Sequence, residues 1–196
     1  KIIIKYINNG DHIIAADGGG NYLKSAGILP DIIIGDMDSL SESSIRYFTK
    51  KKVKIKKITE QETTDFEKCL LYCKKKKIKD IIVFGSLSLR PDHTLNNFSI
   101  LKRYSEIFNV KLISEEFEIL LIKKKIDFSY KKGEIISLLA LPRATGIKTK
   151  GLKYELNNEK LELGIREGSS NEAVSDFVSI EYKLGSLLLF KKHFLN

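Results

Sequence analysis

Two aspartates, Asp36 and Asp38, follow the run Asp31-Ile-Ile-Ile-Gly35. A β-branched run closed by glycine reads as a buried parallel strand. Both carboxylates would then stand just past its carboxyl end, where open α/β sheets bind ligands. Carboxylates at such a place suit Mg²⁺, a hard cation usually held by one or two of them together with substrate phosphates. A plainer reading is also open, in which the pair caps a turn before the next helix with help from Ser39 and Ser41.

Three further polar clusters follow strand-like segments. In Asp17-Gly18-Gly19-Gly20 the glycines let a backbone approach phosphate, and a helix start favours anions. The stretch lacks a full dinucleotide fingerprint or P-loop, so a simple turn fits it equally well. Within Gln61–Lys68, Asp65 is either a metal ligand facing the cleft of Asp36 or an acid stabilised in a first helical turn. In Arg90-Pro91-Asp92-His93, Arg90 suits a phosphate, Asp92 a metal or a proton, and His93 titrates near neutrality. Each cluster alone is more often structural. Four at successive strand ends would line one rim of a sheet.

The elements that must position them alternate over residues 1–122. Ile2-Ile3-Ile4, His12–Ala16, Ile32–Ile34, Val53–Ile58, Ile81–Phe84, Val110–Ser114 and Glu118–Ile122 read as strands. Between them, helices are expected over Asn21–Ala26, Ser41–Lys50, from the Thr64-x-x-Glu67 capping box to about Lys76, and from Pro91 to about Tyr104. Such alternation predicts a doubly wound, mostly parallel α/β sheet. After Lys123-Lys-Lys125 the pattern turns to short strand-like pieces at 128–130, 135–140, 146–149, 161–165, 177–182 and 187–190, punctuated by glycines. That is the signature of an all-β sandwich. The expected division is an α/β domain over 1–125 and a β domain over 126–196.

At 196 residues the chain can bury a proper core, and its 42% apolar share argues against wholesale disorder. The net charge is +9, yet only 5 of the 34 basic residues are arginine. Bidentate recognition of bases and phosphates favours arginine, so the lysines read as a solvated surface and a nucleic-acid partner is not expected. Cys69 and Cys73 form no zinc pattern and read as buried thiols of a reducing compartment. No apolar run approaches the roughly 20 residues of a membrane span, and no secretory signal pattern is visible, so a cytoplasmic protein without a membrane partner is expected.

Taken together, Ala16-Asp17-Gly18-Gly19, Leu29-Pro30-Asp31, Gly35-Asp36-Met37-Asp38-Ser39, Thr64-Asp65-Phe66-Glu67-Lys68, Arg90 with Asp92-His93, Lys150–Tyr154 and Ser169–Glu172 resemble the thiamine pyrophosphokinase family over nearly the whole chain. The resemblance implies transfer of a diphosphate group from ATP to the hydroxyethyl group of thiamine, with release of AMP. It implies Mg²⁺ held by Asp36, Asp38 and Asp65, with Asp92 completing the acidic cluster. Asp17, Gly18, Gly19, Lys68, Arg90 and His93 would border ATP, and Gln61, Ser170 and Asn171 would face thiamine. It further implies a homodimer with active sites at the subunit interface. Ser88-Leu89 stand where the family pattern has two glycines, and the chain has no tryptophan to stack on thiamine, a place open to a Phe or Tyr such as Phe177. Two other readings compete: a pyrophosphokinase acting on a hydroxymethylpterin, and a basic nucleic-acid-binding module whose binding would weaken steeply with salt.

Overall fold

The structure, a computed structural model, describes residues 2–87 and 90–193. Contacts divide the chain into two units, Lys1–Lys79 and Asp80–Asn196.

The first unit is built on a parallel sheet in the order β1 (Ile14–Ala16), β2 (Ile32–Gly35), β3 (Lys54–Lys57). Helix α2 (Gly19–Ser25) follows β1, α3 (Glu42–Lys50) follows β2, and α4 (Asp65–Lys76) follows β3. Ile32, Ile33 and Ile34 are at most 1% exposed, as expected where helices cover both faces of a central parallel strand. Phe48, Leu23, Leu40 and Ala15 close around Ile33. The two predicted caps form: Ser41 Oγ accepts from the Ser44 amide at 3.2 Å, and Thr64 Oγ1 from the Glu67 amide at 3.3 Å. Thr64 thereby fixes the point at which Asp65 leaves the loop.

One expected strand is a helix. Ile2–Tyr6 forms the short α1, although β-branched residues favour strands. Its Ile3 packs on the first core, and that tertiary contact overrides local preference.

The second unit begins with β4 (Asp80–Phe84), α5 (Pro91–Arg103), β5 (Asn109–Ile113) and β6 (Phe117–Leu121). It continues with β7 (Lys125–Ser129), β8 (Ile135–Lys150), β9 (Asn157–Glu162), β10 (Gly168–Glu172), β11 (Phe177–Glu181) and β12 (Leu184–Lys192). The sheet order is β4-β5-β6-β12-β8-β11-β7, with β9 and β10 also on β8. Only β4 and β5 are parallel, and the remaining pairs are antiparallel.

Contacts break at Lys79 rather than near residue 125 because β6 hydrogen-bonds along its length to β12, from Leu121↔Leu188 to Phe117↔Lys192. That pairing draws β4, β5 and β6 into the antiparallel sheet. The pieces expected at 135–140 and 146–149 are one strand of 16 residues, β8, which passes its glycine through register shifts against β9. Strand β10, Gly-Ser-Ser-Asn-Glu, carries little strand preference and exists through its pairing with Leu138, Ile136 and Ile135 of β8.

Candidate active site

At the carboxyl end of β1 the ladder runs one residue further, the Asp17 amide donating to the Ile34 carbonyl at 2.8 Å. Asp17 then turns the chain with a φ of 37°, outside the range most side chains adopt. Next to it, β2 ends at Gly35, and Met37 takes a φ of 67° between the two aspartates. Asp65 opens α4. Three strand and helix ends thus deliver three carboxylates: one oxygen each from Asp17, Asp36 and Asp65 lies within 4.8 Å of the others. Non-glycine residues in the left-handed region cluster where surrounding structure over-determines them, commonly at functional sites.

The electrostatics separate the three acids. Asp17 is buried, and its Oδ2 accepts from the Ser39 amide at 2.9 Å while its Oδ1 has no hydrogen-bond partner among the described residues. Burial pushes the Asp17 carboxyl above its ordinary value, opposed by the Ser39 amide and reinforced by the neighbouring carboxylates of Asp38 and Asp65. Asp36 is held below its ordinary value, chiefly by the Gln61 amide, whose Nε2 donates to Oδ2 at 3.3 Å, and then by the Asp38 backbone amide. Lys68 is almost fully buried and places Nζ 3.2 Å from Asp65 Oδ1. Its charge also reaches Asp36.

Several expected site residues have partners within the protein. The cluster takes Asp17 where the sequence reading had Asp38. Asp38 instead accepts from the Ser39 hydroxyl at 2.8 Å, and its charge raises the Asp17 carboxyl. Lys68, expected beside the nucleotide, is engaged by Asp65. Gln61, expected on thiamine, rests on Asp36 and on the Thr59 carbonyl.

Arg90, Asp92, His93, Ser170 and Asn171 belong to the second unit. Arg90 Nε donates to Asp92 Oδ1 at 3.1 Å and its Nη2 to Oδ2, a fork that holds the Asp92 carboxyl down to about 2. His93 Nε2 lies 3.9 Å from the same carboxylate. Ser170 is exposed, with a φ of 57° and its amide on Ser137 Oγ. Asn171 is buried and its amide is consumed locally: Oδ1 accepts from the Tyr154 and Glu172 amides, and Nδ2 donates to the Tyr154 carbonyl. Its expected contact with thiamine therefore competes with three backbone hydrogen bonds. Ser88-Leu89 lies outside the described residues.

Sequence reasoning missed two participants. Asn21 grips the loop after Asp36, and its only signal was its place four residues after Asp17. Gly35 was read as a strand end, whereas a side chain there would collide with Asp17. No helix among the described residues is long and apolar enough to cross a membrane.

Fold and site define an α/β unit with an acidic cluster at the carboxyl ends of its parallel strands, continued in one chain by a mainly antiparallel β unit. The chain belongs to the thiamin pyrophosphokinase family. The model of that family's catalytic domain matches residues 3–113, and the model of its vitamin B1 binding domain matches residues 120–187. The chain is 28% identical to a thiamin pyrophosphokinase of Caenorhabditis elegans over 200 residues, covering 93% of this chain and 79% of the relative. It is 28% identical to the Bacillus subtilis thiamine pyrophosphokinase over 184 residues, covering 91% and 86%. The crystal structure of a Bacillus subtilis thiamine pyrophosphokinase superposes with a TM-score of 0.88 at 25% identity, covering all of this chain and 94% of the other. The yeast thiamin pyrophosphokinase, at 24% identity and a TM-score of 0.83, shares the fold.

Proposed function

We propose that Asp17, Asp36 and Asp65 hold the Mg²⁺ that accompanies ATP in the reaction of this enzyme. That reaction, common to the family, moves a diphosphate group from ATP to thiamine. The hydroxyethyl oxygen of thiamine bonds to the β-phosphorus, the bond from that phosphorus to the α-bridging oxygen breaks, AMP departs with the bridging oxygen, and the hydroxyl proton is released.

The observation that carries the metal reading is the convergence of three carboxylates from three chain segments, one of them with a buried oxygen that has no hydrogen-bond partner among the described residues. An all-oxygen, anionic donor set suits a hard divalent cation, and a buried unpaired carboxylate oxygen is costly unless something positive satisfies it. When bound, the cation would neutralise charge on the phosphates. The protein groups do the rest of the positioning. Lys68 balances Asp65, Gln61 and the Asp38 amide keep Asp36 ionised, and the Ser39 amide orients Asp17.

The remaining assignments extend this reading. Gly19 offers open space, since a side-chain carbon there would meet nothing within 4 Å, and with Gly18 it leaves backbone free to border phosphate. Arg90, with Asp92 and His93 beside it, supplies a planar cation for the nucleotide. Ser170 and Gln61 are candidates to meet thiamine, with residues 126–196 as the thiamine-binding and dimer-forming part and 1–125 as the catalytic part. A homodimer and a cytoplasmic location complete the proposal.

The test is release of AMP from ATP and Mg²⁺ with thiamine or a hydroxymethylpterin as acceptor. Turnover with thiamine that disappears in Asp36→Asn, while the protein keeps its circular dichroism, is the expected result. Turnover with the pterin alone would overturn the acceptor, and an active Asp36→Asn would overturn the metal cluster.

A further inference from the structure

The loop that carries Asp36 and Asp38 is held from one turn of one helix. Asn21, in α2, donates from Nδ2 to the Ser39 carbonyl at 2.8 Å and accepts at Oδ1 from the Ser41 amide at 3.1 Å. A single side-chain amide thus serves a carbonyl and an amide two residues apart, the pattern a neighbouring strand would offer. The other backbone group of Ser39, its amide, donates to Asp17 Oδ2. Asp17 and Asn21 are themselves tied together by the start of α2, where the Gly20 amide donates to the Asp17 carbonyl at 2.9 Å and the Asn21 amide to the Gly18 carbonyl at 3.0 Å. Between the two grips, Leu40 drops into the core against Gly20, where a side-chain carbon would stand 2.7 Å from Leu40 Cδ1. Gly20 and Asn21 therefore form a receptor for Ser39-Leu40-Ser41, one apolar and one polar.

We propose that Asn21 is a positioning residue for the carboxylate site. By fixing the Ser39 carbonyl while Asp17 takes the Ser39 amide, it holds the left-handed turn at Met37 and so the aim of Asp36 into the cluster. This rests on the cation-binding reading of Asp17, Asp36 and Asp65. Partners that orient metal-ligating carboxylates commonly change metal affinity or activity by about 10- to 100-fold when removed. Asn21 acts through backbone, and it touches no reacting atom.

The test uses the full chain without nucleotide. Mn²⁺ is titrated and the free ion read by electron paramagnetic resonance, beside kcat and KM for thiamine and the melting temperature. Asn21→Ala should weaken Mn²⁺ binding by about tenfold and lower kcat, with KM for thiamine unchanged. Asn21→Asp, which keeps the acceptor for Ser41 but sets a carboxylate oxygen against the Ser39 carbonyl, should weaken Mn²⁺ binding as well and covers the case in which the alanine variant does not fold. Faster hydrogen exchange in 36–41 should accompany both. Variants that only melt earlier, with Mn²⁺ affinity and kcat as in the wild type, overturn the proposal and leave the cation site standing. Wild-type protein that binds no Mn²⁺, or binds it equally well as Asp36→Asn, overturns both readings.

Discussion

A side-chain carbon on Gly35 would stand 2.6 Å from the Cβ of Asp17, and 3.2 Å from Asp65 Oδ1. The glycine at the end of β2 is thus required by its neighbours, not by its own backbone angles. Gly35→Ala should displace Asp17 and cost about 1–3 kcal/mol, the range of overpacking in a tight interior. Urea denaturation checks the stability, and Mn²⁺ titration should show the cation site weakened in protein that remains folded.

Asp17 makes stability fall with rising pH in the absence of a divalent cation. Burial raises its carboxyl in the folded state, so between the ordinary and the raised value the folded protein binds more protons than the unfolded chain. Stability therefore declines as pH climbs through that window. Half-buried Asp36 and exposed Asp92 act oppositely at lower pH, losing their contribution as pH drops through their lowered values, about 2 for Asp92. A cation replaces the proton on Asp17, so Mg²⁺ should raise the melting temperature more at pH 7 than near pH 4. At a hundredfold excess over Kd the gain is roughly 2.7 kcal/mol. Calorimetry in MgCl₂ against NaCl of equal ionic strength measures it, and Asp17→Asn should abolish the difference.

Lys68 brings a cation to the acidic cluster from within α4, at i,i+3 from Asp65. Lys68→Met preserves the buried stem and deletes the charge, leaving Asp65 beside two other carboxylates. Removing one partner of a fully buried pair costs about 3 kcal/mol, and because the Asp65 side chain keeps 30% of its surface exposed the loss here should be smaller. Mg²⁺ should restore part of that loss, giving Lys68→Met a larger Mg²⁺-dependent rise in melting temperature than wild type. An equal rise would show that Lys68 does not balance the cluster.

Cys69 and Cys73 lie on α4 one turn apart, with burial pushing the thiols up to about 12 and about 11. The thiolate is the reactive form, so neither should react with a disulfide reagent at pH 8 while the protein is folded. Two thiols should appear on unfolding in guanidinium. Reaction of the native protein would mean that α4 opens locally.

How much was legible depended on the range of the interaction. The β-branched run of β2, the serine and threonine caps of α3 and α4, and the acids at strand ends all rest on contacts within a few residues, and they occur where the sequence placed them. Ile2–Tyr6 and Gly168–Glu172 did not follow their own preferences. The first has its isoleucine taken up by a core assembled from distant segments, and the second has its ladder supplied by β8.

For the site, the sequence by itself determined which residue types gather at the strand ends, and with them the family to which the chain belongs. Only the tertiary structure decided that Asp17 rather than Asp38 shares the cluster with Asp36 and Asp65. The choice turns on two angles and one close approach: the turns at Asp17 and Met37, and the gap left by Gly35. Spacing along a chain counts residues, whereas a carboxylate's direction is set by the backbone beneath it and by what lies across from it. For Asp36, what lies across is Gln61, and for the loop that carries it, Asn21.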